Sequence, residues 1–266
     1  MLMQLDGGRV YYDLVGDAGK PLVCLAHSLC ADGGMWAEQI PTLICGGFRA
    51  LRVDIRGHGG SDAFPGDYTM SMLANDVLAV LDQVEATQDI HFIGLSIGGM
   101  IGQTLAIEHP TRVKSLMLCD TLPVSPASVQ ALWTKRLALV REANSLEPIV
   151  EANMDRFLSD AFKAAHPMRW RQIRETNACS SPAGYSGCAA AIRSFDVVAR
   201  LTKIRAPTLA ICGSDDQSTP PGEVRELARH ITGARYEEIP EARHFPNIER
   251  ADRFNRHMMT WLGQQP

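Results

Sequence analysis

Several features that would indicate a membrane, metal-binding or nucleic-acid-binding protein are missing from this sequence of 266 residues. No run of 18 apolar residues occurs, so no transmembrane segment is expected. Neither a C-x-x-C nor an H-E-x-x-H motif is present, and we expect no metal ion and no cofactor. The formal net charge of −4 gives no reason to expect a nucleic-acid partner. The first residues lack the basic and apolar segments of a signal peptide, which favours a cytoplasmic protein.

The composition is that of an ordinary globular enzyme. Hydrophobic residues make up 45% and charged residues 21% of a chain long enough to bury a substantial core. The seven cysteines are odd in number and scattered, and Cys24, Cys119 and Cys212 lie in strand-like apolar runs. We therefore expect buried free thiols.

Short apolar runs alternate with helical patterns along most of the chain. We predict strands at residues 9–15, 21–27, 48–55, 90–94, 113–119, 207–212 and 235–239, the first of them antiparallel. We predict helices at residues 35–45, 70–84, 98–108, 222–231 and 250–262. This alternation predicts an α/β fold with a mostly parallel central sheet that is flanked by helices on both faces.

The alternation stops between residues 124 and 200, where helices are predicted at residues 128–143, 146–159, 166–176 and 185–193. We interpret this stretch as a helical lid inserted between two strands of a core formed by residues 1–123 and 201–266. The lid holds ten basic and seven acidic residues and so carries a net charge of +3. Such a charge is compatible with an anionic substrate, and also with ordinary solvated helix faces.

The most informative motif is G-x-S-x-G at residues 94–98, which places Ser96 between a strand-like and a helix-like segment. A sharp turn of this kind lifts the serine Oγ out of a sheet and aims the next N–H at the reacting oxygen. We therefore predict that Ser96 is a nucleophile. Two backbone N–H groups that stabilise the oxyanion are assigned to Ile97 and to Leu29, in the loop after the strand at residues 21–27.

A serine nucleophile needs a base, and the base needs an acid that orients it. His244 lies in the loop between the last predicted strand and the last predicted helix. Asp216 follows another predicted strand, and we choose it as the acid over the neighbouring Asp215. The resulting chain order of Ser96, Asp216 and His244 is the one expected of α/β-hydrolases.

Together these residues resemble the α/β-hydrolase superfamily over residues 8–263. The resemblance includes G-x-x-D-x-x-x-P at residues 213–220 and D-I-R-G-H-G-G-S at residues 54–61. Within the superfamily, the chain is most similar to the 3-oxoadipate enol-lactonases, and the stretches that carry this similarity are residues 27–29, Met35 with Trp36, residues 98–103 and residues 184–193. That group has Asn and Gly where this chain has His27 and Cys30.

The resemblance implies a substrate class as well as a mechanism. Ser96 would open an enol-lactone of aromatic catabolism through an acyl-enzyme intermediate. The expected partner is a small molecule that carries a carboxylate, and the lid arginines that are candidates to clamp this group are Arg136, Arg141 and Arg193. Trp36 and Trp133 are candidates to line the acyl pocket, and each could instead belong to the core.

Other interpretations stay open on the sequence alone. A carboxylesterase, a C–C bond hydrolase and a haloperoxidase-like enzyme use the same three residues, and a receptor-like protein can keep the fold with a silent triad. His27 and His58 lie in loops near the same edge of the sheet, and we favour structural hydrogen bonding for both.

Overall fold

The computed structural model describes residues 1–86 and 89–265. These residues form an eight-stranded sheet in the order β1-β2-β4-β3-β5-β6-β7-β8. The strands are β1 (Leu2–Leu5), β2 (Gly8–Val15), β3 (Leu22–Ala26), β4 (Arg49–Val53), β5 (Ile90–Leu95), β6 (Val113–Cys119), β7 (Thr208–Gly213) and β8 (Arg235–Ile239). β2 pairs with β4 in antiparallel fashion and the later neighbours are parallel, as predicted. β1, which was not predicted, pairs with β2 in antiparallel fashion.

Helices flank this sheet and fill the connections between its strands. Their bounds are α1 (Ile40–Cys45), α2 (Met70–Gln83), α3 (Ile97–Glu108), α4 (Gln130–Ala143), α5 (Glu147–Phe157), α6 (Asp160–Ala165), α7 (Pro167–Cys179), α8 (Pro182–Arg193), α9 (Pro221–His230), α10 (Pro246–Glu249) and α11 (Ala251–Leu262). The mostly parallel sheet with its flanking helices confirms the predicted α/β fold. Within the described ranges, no helix combines the length and apolarity that crossing a bilayer requires.

The middle of the sheet is buried on both faces because its strands are almost entirely apolar. All six residues of β5 are buried, and Ile93 pairs with Leu25 of β3 on one side and with Met117 of β6 on the other. Such runs are typical of parallel strands that helices cover on both sides. The carboxyl ends of β5, β6 and β7 therefore meet at one edge of the sheet, where ligands bind in folds of this class.

One predicted helix is confirmed closely, and another is divided. In α2, Leu73, Val77 and Val80 are buried at helical spacing, and the hydroxyl of Thr69 caps the helix by accepting a hydrogen bond from the Met72 N–H at 3.1 Å. The helix predicted at residues 35–45 is instead a short 3₁₀ turn followed by α1. A proline at the start of α1 explains the division, because its ring fixes φ and suits the first turn of a helix.

Residues 124–200, which the structure describes without a gap, contain α4 to α8 and connect β6 to β7. We call this segment the helical insertion. Its two ends are joined by an antiparallel bridge between Val124 and Asp196. The short helix α6 was not predicted; it begins where the Ser159 hydroxyl accepts a hydrogen bond from the Phe162 N–H at 3.2 Å.

All seven cysteines are free thiols. Five of them are buried, and those in β3, β6 and β7 lie in the strands that were expected to hold them. Cys45 and Cys179 are exposed, which corrects the expectation of burial for these two. Both lie at the last residue of a helix, where the chain turns towards solvent.

Candidate active site

A cavity of about 330 Å³ separates the carboxyl edge of the sheet from the helical insertion. On the sheet side it is lined by Ser96, by His244 and by Ser28 and Leu29 of the loop after β3. On the opposite side it is lined by residues of α4 and α5. The nucleophile and the base predicted from the sequence thus border the same cavity.

Ser96 lies at the sharp junction between β5 and α3. Its backbone has φ 58° and ψ −116°, a conformation that a residue with a side chain adopts only under strain. The Ser96 N–H donates to the carbonyl of Cys119 at 2.9 Å, and the hydroxyl of Thr121 donates to the Ser96 carbonyl at 2.7 Å. A Cβ atom at Gly98 would lie 2.2 Å from the carbonyl oxygen of Ala26. The glycine is therefore required by the close approach of the turn to β3.

His244 and Asp216 form a buried hydrogen-bonded pair. Nδ1 of His244 donates to Oδ2 of Asp216 at 2.8 Å. Asp216 also accepts hydrogen bonds from the Ser218 N–H at 2.7 Å and from the Thr219 hydroxyl. Burial alone would raise the pKa of Asp216, but the adjacent His244 and these hydrogen bonds outweigh it and hold that pKa below its ordinary value. Because the ionised carboxylate fixes the proton on Nδ1, Nε2 is the ring nitrogen left to act as a base.

The two predicted oxyanion donors lie in positions that suit the role. Ile97 is the first residue of α3, so its N–H has no carbonyl partner within the helix. Leu29 lines the cavity, in a loop that His27 holds in place. Nδ1 of His27 donates to the Ser28 carbonyl at 2.7 Å, and its Nε2 accepts from the Ile55 N–H at 2.8 Å. Both ring nitrogens of His27 are thus used by the backbone, in agreement with the structural role expected of it.

Two arginines of the insertion line the cavity, Arg136 of α4 and Arg156 of α5. Nε of Arg136 donates to the hydroxyl of Tyr185 at 3.0 Å, and both guanidinium groups donate to the amide oxygen of Asn153. The Asn153 amide in turn donates to Oδ1 of Asn177 at 3.1 Å. Among residues 1–86 and 89–265, neither guanidinium forms an ion pair with a carboxylate. Burial and the nearby charge of Arg136 lower the pKa of Arg156 to about 10.

Of the other residues predicted to contact the substrate, only one lines the cavity. Trp133 lines the cavity, but Trp36 is fully buried in the core with its ring 6.2 Å from that of Phe254. Arg141 and Arg193 are exposed and do not line the cavity. The substrate contacts predicted for Trp36, Arg141 and Arg193 are therefore corrected, because core packing holds the first and the other two lie on solvent-facing sides of their helices.

Asp120, which the sequence analysis did not single out, lies beside the Asp216–His244 pair. A carboxylate oxygen of each aspartate and a ring nitrogen of His244 all lie within 4.8 Å of one another. Burial, and next the negative charge of Asp216, raise the pKa of Asp120 well above its ordinary value. The sequence does contain a local signal for Asp120. The residue directly follows the apolar strand β6, so it lies at the same edge of the sheet as the predicted triad.

The insertion is bonded directly to the loop that carries the histidine. The ring of Phe157, at the end of α5, stacks on the His244 imidazole at 5.6 Å between centroids and an angle of 24°. The buried carboxylate of Glu249 accepts the Ser159 N–H at 3.0 Å from the insertion and the Arg243 N–H at 2.8 Å from the histidine loop. Phe157 and Glu249 therefore connect the helical insertion to the loop that carries His244.

Comparison with known proteins agrees with this architecture. A family model described as the alpha/beta hydrolase fold matches residues 21–251. The 3-oxoadipate enol-lactonase 2 of Acinetobacter baylyi is 32% identical over 244 residues, which are 92% of this chain and 89% of that protein. A putative carbamate hydrolase, RutD, of Variovorax paradoxus is 30% identical over 96% of each chain. The crystal structure of the enol-lactonase from Burkholderia xenovorans matches with a TM-score of 0.94 and 32% identity, over 99% of this chain and 100% of that one.

The family model spans most of the chain, and the relatives match along nearly its whole length at about a third identity. The similar proteins are hydrolases by name, although the bonds they cleave differ. This protein is therefore a hydrolase that belongs to the α/β hydrolase family.

Proposed function

We propose that this hydrolase opens a lactone or ester that carries a free carboxylate, through Ser96, His244 and Asp216. The substrate we favour is an enol-lactone of aromatic catabolism, of the β-ketoadipate type. The observation that carries the proposal is the pair of Arg136 and Arg156, which line the same cavity as Ser96 and form no ion pair with a carboxylate among residues 1–86 and 89–265. Unpaired buried charge is costly, so a ligand that supplies the opposite charge is expected there. Two similar proteins named as enol-lactonases support the lactone.

The arrangement of the sheet edge supports the following mechanism. Ser96 Oγ attacks the carbonyl carbon while Nε2 of His244 takes the hydroxyl proton, and Asp216 stabilises the imidazolium. The N–H groups of Leu29 and Ile97 stabilise the oxyanion, and each such donor lowers the barrier by about 3 kcal/mol. When the intermediate collapses, the acyl–oxygen bond breaks and His244 gives its proton to the departing enol oxygen. Water activated by His244 then hydrolyses the serine ester.

The arginine pair would hold the end of the substrate that does not react. A guanidinium fork matches the two oxygens of a carboxylate, and the fixed amide of Asn153 holds both guanidinium groups on one side of the cavity. Holding the anionic end positions the carbonyl relative to Ser96, which converts binding energy into rate. The half-buried ring of Trp133 adds an apolar wall to the same space.

The charge of the substrate can be tested with two aryl esters of equal acyl length. p-Nitrophenyl hemisuccinate carries a terminal carboxylate, and p-nitrophenyl butyrate does not. We expect kcat/KM to favour the charged ester by roughly 10²-fold, because hydrogen bonds between ions are worth about 1.5–3 kcal/mol. Arg136→Gln should abolish most of this preference and leave hydrolysis of the neutral ester, whereas Arg193→Gln serves as the exposed control. Equal kcat/KM for the two esters in the wild type would contradict an anionic substrate.

The lactone is tested separately, by following the absorbance of 3-oxoadipate enol-lactone beside a neutral aryl ester. We expect the lactone to be consumed faster at matched concentrations. Rapid hydrolysis of the ester with no loss of lactone would favour a carboxylesterase of the same fold.

A further inference from the structure

A second carboxyl group is buried beside the acid of the proposed triad, and no step described above uses it. Asp120 is fully buried at the carboxyl end of β6, with φ 43°. Its Oδ1 accepts the Gly213 N–H at 2.9 Å, and its Oδ2 has no hydrogen-bond partner among the residues that the structure describes. The placement of oxygens of Asp120 and Asp216 and a nitrogen of His244 within 4.8 Å of one another makes this a compact titratable cluster.

Two carboxylates this close in a buried site cannot both be ionised, because like charges repel strongly in a medium of low dielectric constant. The hydrogen bonds decide which one carries the charge. Asp216 accepts from three donors, the Ser218 N–H, the Thr219 hydroxyl and Nδ1 of His244, whereas Asp120 accepts from one. The charge therefore belongs on Asp216 and the proton on Asp120.

The other groups around Asp120 do not supply a compensating charge. Besides Asp216 and His244, the titratable groups near it are the thiols of Cys119 and Cys212. Burial raises the pKa of both thiols, so they stay neutral. The directions of the two carboxyl pKa values, raised for Asp120 and lowered for Asp216, agree with the assignment that the hydrogen bonds give.

We propose that Asp120 is a positioning residue of the triad, a neutral carboxylic acid that stands beside Asp216 and ionises in its place when the charge of Asp216 is removed. The proposal rests on the triad of the proposed function. Two hydrogen bonds to β7 and its end hold Asp120 in place beside Asp216. The Asp120 N–H donates to the Ile211 carbonyl at 2.9 Å, and the Asp120 side chain accepts the N–H of Gly213. Asp120 thus joins the end of β6 to the end of β7, the strand that leads to Asp216.

Infrared difference spectroscopy on the full chain tests the protonation directly. In the wild type at neutral pH we expect the carbonyl band of a buried neutral carboxylic acid. The band should be absent from Asp120→Asn, which keeps the size of the side chain, and also from Asp216→Asn, in which Asp120 ionises. A wild type without such a band, or a band that persists in Asp120→Asn, would overturn the proposal. A purely structural Asp120 gives no reason for the band to vanish in Asp216→Asn.

Hydrolysis of an aryl ester tests the functional half of the proposal. Asp120→Asn should lower kcat by a factor about tenfold larger in the Asp216→Asn background than in the wild type, because the reserve charge is then lost. Asp215→Asn, which removes an exposed neighbouring carboxylate, is the matched control in the same background. Equal effects of Asp120→Asn in both backgrounds would overturn the reserve role. If the wild type hydrolyses no ester at all, the proposed function fails, and the infrared band still decides the protonation of Asp120.

Discussion

The two sides of the cavity differ in the charges they carry and in the groups that bind those charges. On the sheet side, the imidazole of His244 faces the carboxylate of Asp216, and backbone and hydroxyl donors complete the coordination of that carboxylate. On the insertion side, Arg136 and Arg156 are held by the neutral side chains of Asn153 and a tyrosine. The charge on the sheet side is therefore a carboxylate with three hydrogen-bond donors, whereas the insertion side carries two positive charges that pair with no carboxylate among the described residues. We infer that the sheet side supplies the chemistry and the insertion side the choice of substrate.

The net charge of the insertion does not by itself create this difference. Arg174 pairs with Glu147 and Glu151 at the surface, and Arg169 pairs with Glu38 of the core. These arginines are neutralised where they lie. What matters is that Arg136 and Arg156, which reach the cavity, form no ion pair with a carboxylate in the part of the chain that the structure describes.

The largest expected effect comes from removing the nucleophile on the sheet side. Ser96→Ala should lower kcat for ester hydrolysis by roughly 10⁶-fold, since the members of a triad act as a unit. A fluorophosphonate probe should label the wild type at Ser96 and leave Ser96→Ala unlabelled. Ser194→Ala, which removes an exposed hydroxyl of the insertion, is the control for both measurements. A folded wild type that the probe does not label would contradict a serine hydrolase.

An intermediate effect is expected on the pH dependence of stability, and its source is the buried carboxyl group of Asp120 on the sheet side. The ordinary pKa of an aspartate is 3.8, and burial, together with the charge of Asp216, raises the pKa of Asp120 in the folded chain. Above pH 3.8 the unfolded chain releases this proton while the folded chain keeps it. The free energy of unfolding then falls as pH rises towards the folded pKa, by up to about 1.4 kcal/mol per pH unit.

Asp120→Asn has no proton to release. Its free energy of unfolding relative to the wild type should therefore increase between about pH 5 and pH 7, as measured by urea denaturation. Asp215→Asn, at an exposed position, should show no such trend. A difference between Asp120→Asn and the wild type that does not vary with pH would mean that Asp120 ionises normally in the folded protein.

The smallest effect is expected on the insertion side and is a gain in stability. Arg156→Gln removes the half-buried one of two neighbouring positive charges and keeps an amide donor for Asn153. The free protein should gain about 1 kcal/mol of stability, seen as a higher Tm, because desolvated charge without a partner is costly. Arg193→Gln should stay within about 0.5 kcal/mol of the wild type. A lower Tm for Arg156→Gln would show that the insertion needs both charges even without a ligand.

Much of the fold could be predicted because its elements leave periodic patterns in the sequence. The apolar run of β5 and the helical spacing of α2 are such patterns, and both predictions are confirmed. The edge strand Leu2–Leu5 was missed because its residues are only exposed or half-buried, so it carries no buried apolar run. The helix predicted at residues 35–45 is divided at the proline that begins α1, a local signal that the apolar spacing alone does not register.

The residues of the candidate site could likewise be predicted only in part. Ser96, Asp216 and His244 each follow a strand closely, so their convergence at one edge could be predicted, although their catalytic roles stay predictions. Arg156 could not be selected, because ten basic residues of the insertion look alike in sequence and only packing decides which of them reach the cavity. What distinguishes Arg156 is its place in the cavity wall, which only the three-dimensional arrangement reveals.

The shared carboxylate of Glu249 places a constraint on anyone who would redesign this hydrolase. Exchanging the insertion for that of a relative is an obvious way to change substrate preference, but the exchange would replace one of the two N–H groups that this carboxylate accepts, the one from Ser159. The loop that carries His244 would lose one of the hydrogen bonds that hold it at the same moment as the pocket acquired a new lining. A graft of this kind succeeds only if it brings a matching N–H to the same spot, so selectivity and turnover have to be redesigned together.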